Sequence, residues 1–240
     1  MYDFDAITDR NTPDDIKYEK INGMDDLIPL WVADMDFRSP PEVIDELVRV
    51  ASNGIYGYSE ADKSYDDAVT GWFKNRFDWD VEASQIVKLP GVVLAISYAV
   101  RVLTEENDHV MIFEPVYGPF RRCVKGNGRI LTVEKLKTVN GHFEVDLEDM
   151  EKKIVENDVK LLIWCSPHNP GGRVWTEEEL RAVADICKKL SDMGPKKIVI
   201  PGLERGEDLE NFIYEAGKMP VTITEHKVGP CRSGTGDVFS

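Results

Sequence analysis

Four segments combine residue types and settings that can do chemistry. Gly91-Val92-Val93 follows Leu89-Pro90 and opens an apolar stretch with helical spacing. A glycine there lets backbone N–H groups approach an anion, and a helix N-terminus favours negative charge. The segment suits a phosphate; the same glycine serves equally as a plain helix start. Tyr117 lies just past an apolar run, His109 to Phe113, and Glu114-Pro115. Its ring can stack on a planar ligand beyond a strand end, or sit at the rim of a core with its hydroxyl satisfied. Asn169, between His168 and Pro170, follows a second apolar run; its amide can donate to a ligand oxygen or simply form a turn. Near the C-terminus, Gly234-Thr235-Gly236-Asp237 offers backbone N–H groups for charge on a transferring phosphoryl group, with Asp237 placed to take a proton from a hydroxyl. The alternative is a glycine-rich tail without a chemical role.

Helices alternating with short apolar strands must position these residues, the pattern of a mostly parallel α/β sheet. Pro40-Pro41 opens a predicted helix to Ser52, with Val43, Ile44, Leu47 and Val48 at helical spacing. A second runs from about Ser64 to Phe77, and a third starts at Gly91 with Val92, Val93, Ile96, Val100 and Leu103 on one side. Strands are predicted at residues 109–113, 130–133 and 160–165. Asp146 caps a helix through about Val155, and Thr176-Glu177-Glu178-Glu179 is a capping box for a helix to about Lys189. Beyond residue 190 the character changes. A turn at 192–195 precedes a short strand, Ile198 to Ile200, ended by Pro201-Gly202, and two strands at 211–214 and 221–224 flank a turn at Gly217.

The formal net charge of -15 over 240 residues argues against nucleic acid or an anionic membrane as partner. No apolar run approaches a membrane span, and the first residues, Met1-Tyr2-Asp3-Phe4-Asp5, lack the basic and apolar regions of a signal peptide. Four cysteines (123, 165, 187, 231) without a C-x-x-C pair suggest reduced thiols in a cytoplasmic protein and no metal site.

The segments Pro29-Leu30-Trp31-Val32-Ala33-Asp34-Met35-Asp36-Phe37, Tyr56-Gly57-Tyr58, the stretch from Leu89 to Val100, Glu114 to Phe120 and Ser166 to Trp175 occur in one order. Residues 1–189 thereby resemble the fold-type-I pyridoxal-phosphate (PLP) enzymes, and within them the cystathionine β-lyase-like members of the class I/II aminotransferases. The resemblance implies an incomplete PLP-transferase sheet with helices on both faces. It implies that Gly91, Val92 and Val93 bind the PLP phosphate, that Tyr117 stacks on the pyridine ring and that Asn169 bonds the ring hydroxyl. It places Trp31 and Asp34 near a small amino-acid substrate. Tyr58 would reach the phosphate of another subunit, so a homodimer, or pairing with a full-length lyase, is implied. Trp31 and Tyr58 also fit as ordinary core or interface aromatics. The implied reaction is carbon–sulfur β-elimination, converting cystathionine or a cysteine S-conjugate to a thiol, pyruvate and ammonia. The family's Schiff-base lysine and pyridine-nitrogen acid have no match after Asn169, so the chain is expected to be inactive alone.

Residues 190–240 resemble the ribokinase-like pyridoxal or pyridoxamine kinases, which implies an α/β fragment with Asp237 as base and Gly234, Thr235 and Gly236 as anion hole. Pro201 stands where threonine is more usual. The leading expectation is a C–S lyase-type protein joined to a kinase fragment near residue 190. A kinase-related activity on a B6 vitamer, or a non-catalytic PLP-binding or heterodimerising remnant, are the alternatives.

Overall fold

The computed structural model describes residues 3–10, 15–19, 27–189, 197–205, 208–215 and 221–226. The chain divides into two compact units, residues 1–61 and 62–240.

The first unit holds a short helix α1 (Ile16–Glu19) and the helix α2 (Pro41–Ser52). Proline at the first helical positions starts α2 where a missing N–H costs nothing. Its apolar face forms as the spacing predicts, yet none of its residues is buried: Val43, Leu47 and Val48 are each about half exposed or more.

The second unit begins with α3 (Lys63–Phe77), whose N-cap Asp62 accepts from the Ser64 amide at 2.8 Å. Asp78 closes α3 in the left-handed region. A 3-10 turn (Ala83–Gln85) leads to α4 (Val92–Leu103), with Gly91 at its N-cap. Then come β1 (His109–Glu114), α5 (Gly118–Gly126), β2 (Ile130–Lys135), a hairpin of β3 (Lys137–Val139) and β4 (His142–Glu144), α6 (Leu147–Glu156), β5 (Val159–Leu162) and α7 (Glu177–Lys189). The Asp146 cap of α6 accepts from the Asp149 amide at 3.2 Å. The box at α7 is reciprocal: Thr176 donates its amide to Glu179 Oε2 at 2.7 Å, and the Glu179 amide returns to Thr176 Oγ1 at 3.3 Å.

Strands β2, β1 and β5 form a parallel sheet in that order. Central β1 is buried on both faces, as its unbroken run Val110-Met111-Ile112-Phe113 demands. Val110 and Ile112 pack with Val100 of α4, Phe120 and Val124 of α5 and Leu161. Met111 and Phe113 pack on the other face with Met150 and Ile154 of α6 and Leu180, Val183 and Cys187 of α7. Helices on both faces match the expected α/β sheet.

The β3–β4 hairpin was not predicted, β7 and β8 run longer than predicted, and two further strands differ for a physical reason. β5 ends at Leu162, not residue 165, because the chain turns away to offer the Cys165 carbonyl to Trp175 Nε1 at 2.9 Å. Strand β6 (Lys197–Arg205) is not ended by Pro201-Gly202; the proline and glycine fall at a register shift between Ile200 and Leu203, where a missing N–H is tolerated. β6 pairs with β7 (Asp208–Glu215), and β7 with β8 (Val221–His226), as an antiparallel sheet. The Gly217 turn, the turn at 192–195 and the junction near residue 190 lie outside the described residues.

Candidate active site

Strand order puts Tyr117 and Asn169 at one end of the sheet. The connection after β1 leads to α5 on one face, and that after β5 leads to α7 on the other. Adjacent parallel strands whose following connections go to opposite faces leave a crevice outside their carboxyl ends, where ligands of open α/β sheets bind. Tyr117 sits in the first connection and Asn169 in the second, and the Tyr117 amide donates to the Asn169 carbonyl at 2.9 Å. The loops that carry the two candidate ligands are thus joined by backbone.

Helix α4 precedes β1 in the chain and packs on the sheet face that α5 also covers. The first bond inside α4 is donated by the Ala95 amide to the Gly91 carbonyl at 3.1 Å, so the amides of Val92, Val93 and Leu94 precede the helical ladder. A Cβ at Gly91 would meet nothing within 4 Å, so the chain is uncrowded at the N-cap of α4. Cys123 of α5 donates its thiol to the Val93 carbonyl at 3.4 Å, and Asn127 Nδ2 bonds Ser97 Oγ at 2.9 Å. These contacts fix the start of α4 against the helix that Tyr117 caps.

The Tyr117 ring is 44% exposed and lies edge-on to Phe120, with centroids 6.2 Å apart. The Asn169 amide N–H is 3.4 Å from Cys165 Sγ, whose thiol lies 3.3 Å from the Pro167 carbonyl. Asn169 itself is exposed.

The support beneath this loop was not visible in the sequence. His168 is buried, with Nε2 2.7 Å from the Pro115 carbonyl. Arg173 donates Nε to the Phe143 carbonyl at 3.1 Å and grips both oxygens of Glu179 at 2.6 and 2.7 Å. Its guanidinium lies 5.2 Å from the Trp175 ring centroid. With its fork so occupied, Arg173 braces the loop. Gly171 is needed for close approach: a Cβ there would fall 2.7 Å from two ring carbons of Phe143. Gly171→Ala is expected to cost about 1–3 kcal/mol, the range for an overpacked core site. Thermal melting checks this, and Phe143→Leu should recover part of the loss. An unchanged melting point would show that the ring yields freely.

In the first unit, Trp31 donates Nε1 to the Lys17 carbonyl at 3.2 Å and is 49% exposed. Asp34 bonds Arg10 and lies 3.5 Å from Lys17 Nζ. Arg10 also bonds Asp15 and Asp36, each at 2.8 Å. The hydrogen bond from Arg10 holds the Asp34 carboxyl below the usual carboxylate range, and that from Lys17 does the same for Asp36. Asp34 is thus fixed as an anion in an ion network that its spacing did not announce. Tyr58 is fully exposed. Asp237, Gly234, Thr235 and Gly236 lie outside the described residues. Among the described residues no cluster of His, Cys, Asp or Glu could hold a metal ion, and no helix is long and apolar enough to cross a membrane. Burial pushes the Cys187 thiol up to about 12, which marks it as an inert core residue.

The pattern of the aminotransferase class I and II family matches residues 25–193. Cystathionine beta-lyase PatB of Bacillus subtilis (strain 168) is 40% identical over 187 residues, 77% of this chain and 48% of that protein. Cystalysin from Treponema denticola, solved with its pyridoxal 5'-phosphate cofactor, is similar with a TM-score of 0.69 and 34% identity, over 79% of this chain and 49% of that one. The PLP-bound C-S lyase from Staphylococcus hominis is similar with a TM-score of 0.68 and 34% identity, over 79% and 49%. The chain spans about half the length of the curated relatives it matches. With the family pattern covering well over half of its residues, and the parallel sheet with helices on both faces agreeing with it, the chain belongs to the aminotransferase class I and II family.

Proposed function

We propose that residues 62–189 carry the PLP-binding half of a carbon–sulfur lyase site. The observation that carries this reading is the backbone bond from Tyr117 to Asn169, which joins the two ring-binding candidates at the crevice between β1 and β5. The residues fit the group. The first turn of α4 would offer the amides of Val92 and Val93 to a phosphate, and its helix dipole favours the dianion. Tyr117, a partly exposed residue, would stack its ring on a pyridine. The Asn169 side-chain amide would donate to a ring oxygen, which orients the ring. When bound, PLP supplies an electron sink for negative charge at an amino acid's α-carbon. A small amino-acid substrate follows from the family, and a thioether substrate such as cystathionine is supported by the named relatives.

In this reading the 240 residues position the cofactor without completing the chemistry. No lysine after Asn169 lies in a Ser-x-Lys context, so none is assigned to bond the cofactor or to move a proton at the substrate α-carbon. No activity is proposed for residues 190–240, whose described part is an antiparallel sheet.

Titrating the chain with PLP, reducing with borohydride and mapping lysines by mass spectrometry tests the proposal. Reversible uptake is expected, about tenfold weaker in Tyr117→Ala as the loss of one stacking contact predicts, with no dominant modified lysine and no pyruvate from cystathionine. A single labelled lysine with turnover would show a complete site, and absence of any uptake would remove the cofactor reading.

A further inference from the structure

The loops carrying Tyr117 and Asn169 are joined twice. The Tyr117 amide donates to the Asn169 carbonyl at 2.9 Å, and one residue earlier in the second loop His168 Nε2 reaches back 2.7 Å to the Pro115 carbonyl. A carbonyl can only accept, so the ring carries its proton on Nε2. The imidazole is 1% exposed and wedged between Phe143, with centroids 6.5 Å apart, and Trp175, edge-on at 5.6 Å. Its backbone is pinned as well: the His168 amide donates to the Arg173 carbonyl at 2.8 Å, and the Gly172 amide donates to the His168 carbonyl at 2.7 Å.

The other ring nitrogen gives the reason for a histidine. Nδ1 is buried without a partner among the described residues. A buried polar atom left unpaired is unfavourable, and a phenyl ring of similar size would avoid it. What imidazole supplies and phenyl cannot is the Nε2–H. That bond joins the loop after β5 to the loop after β1.

We infer that His168 is a positioning residue for the cofactor site, its Nε2–H on the Pro115 carbonyl holding the Asn169 loop in the register that bonds it to Tyr117. The inference rests on the PLP reading of that pair. Being buried, His168 acts through Tyr117 and Asn169 and not on the ligand itself.

The test compares the full chain with His168→Phe, His168→Gln and His168→Asn by two measurements. One is hydrogen exchange at the Tyr117 amide against amides of β1 as an internal control. The other is the dissociation constant for PLP. In His168→Phe the Tyr117 amide is expected to exchange about tenfold faster while β1 is unchanged, and PLP to bind about tenfold more weakly, the change from one ordinary hydrogen bond. Glutamine places its amide nitrogen near the position of Nε2 and should restore both; asparagine is too short and should restore neither. Should the phenylalanine variant not fold, the contrast between glutamine and asparagine carries the same decision. Wild-type exchange and affinity in His168→Phe would overturn the inference, as would equal impairment in phenylalanine and glutamine, which would make ring shape the cause. Failure of the wild-type chain to bind PLP would overturn the cofactor reading, and Tyr117 exchange would still decide whether His168 holds the two loops together.

Discussion

Trp175→Ala is expected to destabilise the second unit by about 3–5 kcal/mol, the range for truncating a buried aromatic. The indole is 1% exposed and closes the cluster containing Phe113, Met150 and Leu180. It lies 4.8 Å from the Trp164 ring centroid and holds the Cys165 carbonyl through Nε1 at 2.9 Å. Truncation therefore removes packing and leaves that carbonyl without its donor at the point where β5 turns into the Asn169 loop. Trp175→Phe keeps most of the packing and loses the bond, so it should cost less than half as much. Denaturant unfolding of the three proteins measures both steps. A loss within 1 kcal/mol for alanine would mean that the cluster collapses around the gap, and that Trp175 does not hold the loop. PLP affinity should fall along with stability, because the loop that the Trp175–Cys165 bond closes carries Asn169.

Much of this arrangement could be read from the sequence where the signal is local. Asp146 and the Thr176–Glu179 pair announce helix starts because capping uses neighbours within three residues. The run from Val110 to Phe113 announces a strand buried on both faces. The gathering of Tyr117 and Asn169 depends on strand order, since β1 and β5 are separated in the chain by α5, β2, a hairpin and α6. No spacing between residues 117 and 169 encodes that neighbourhood. His168 was visible only as a neighbour of Asn169, because its partner, the Pro115 carbonyl, is a backbone atom common to every residue. Pro201-Gly202 misled for a related reason: a proline is compatible with a strand end and with a register shift, and only pairing with β7 separates them. The ion network around Asp34 joins Arg10 and Lys17 across more than fifteen residues, so the carboxylate looked available when it is already paired.

Removing Lys153 is expected to cost about 3–5 kcal/mol at neutral pH, because it strands a buried carboxylate. Glu134 sits on β2 with its side chain 1% exposed, and its Oε2 accepts from Lys153 Nζ at 2.9 Å. Its Oε1 is buried without a partner among the described residues. Burial pushes the Glu134 carboxyl above the ordinary glutamate value, and the Lys153 bond offsets only part of that. Burial also opposes the Lys153 ammonium, but its bonds to Asp149 and Glu134 outweigh this and hold it above the usual lysine value. An acid whose folded pKa is raised adds stability below its unfolded pKa, and loses it as pH rises through the folded value. In Lys153→Ala nothing offsets the desolvation, so Glu134 should titrate still higher in the folded state. The penalty of the variant should then shrink as pH falls towards the ordinary glutamate value and grow as pH rises from it. Glu134→Gln removes the charge and keeps the shape, so it should cost little, and the double variant Glu134→Gln with Lys153→Ala should recover most of the loss. Unfolding free energies of the four proteins between pH 4 and pH 8 measure this directly. A pH-independent penalty in Lys153→Ala would mean that the lysine stem packs α6 against the sheet and that its charge contributes nothing to Glu134. A double variant as weak as the single would point the same way.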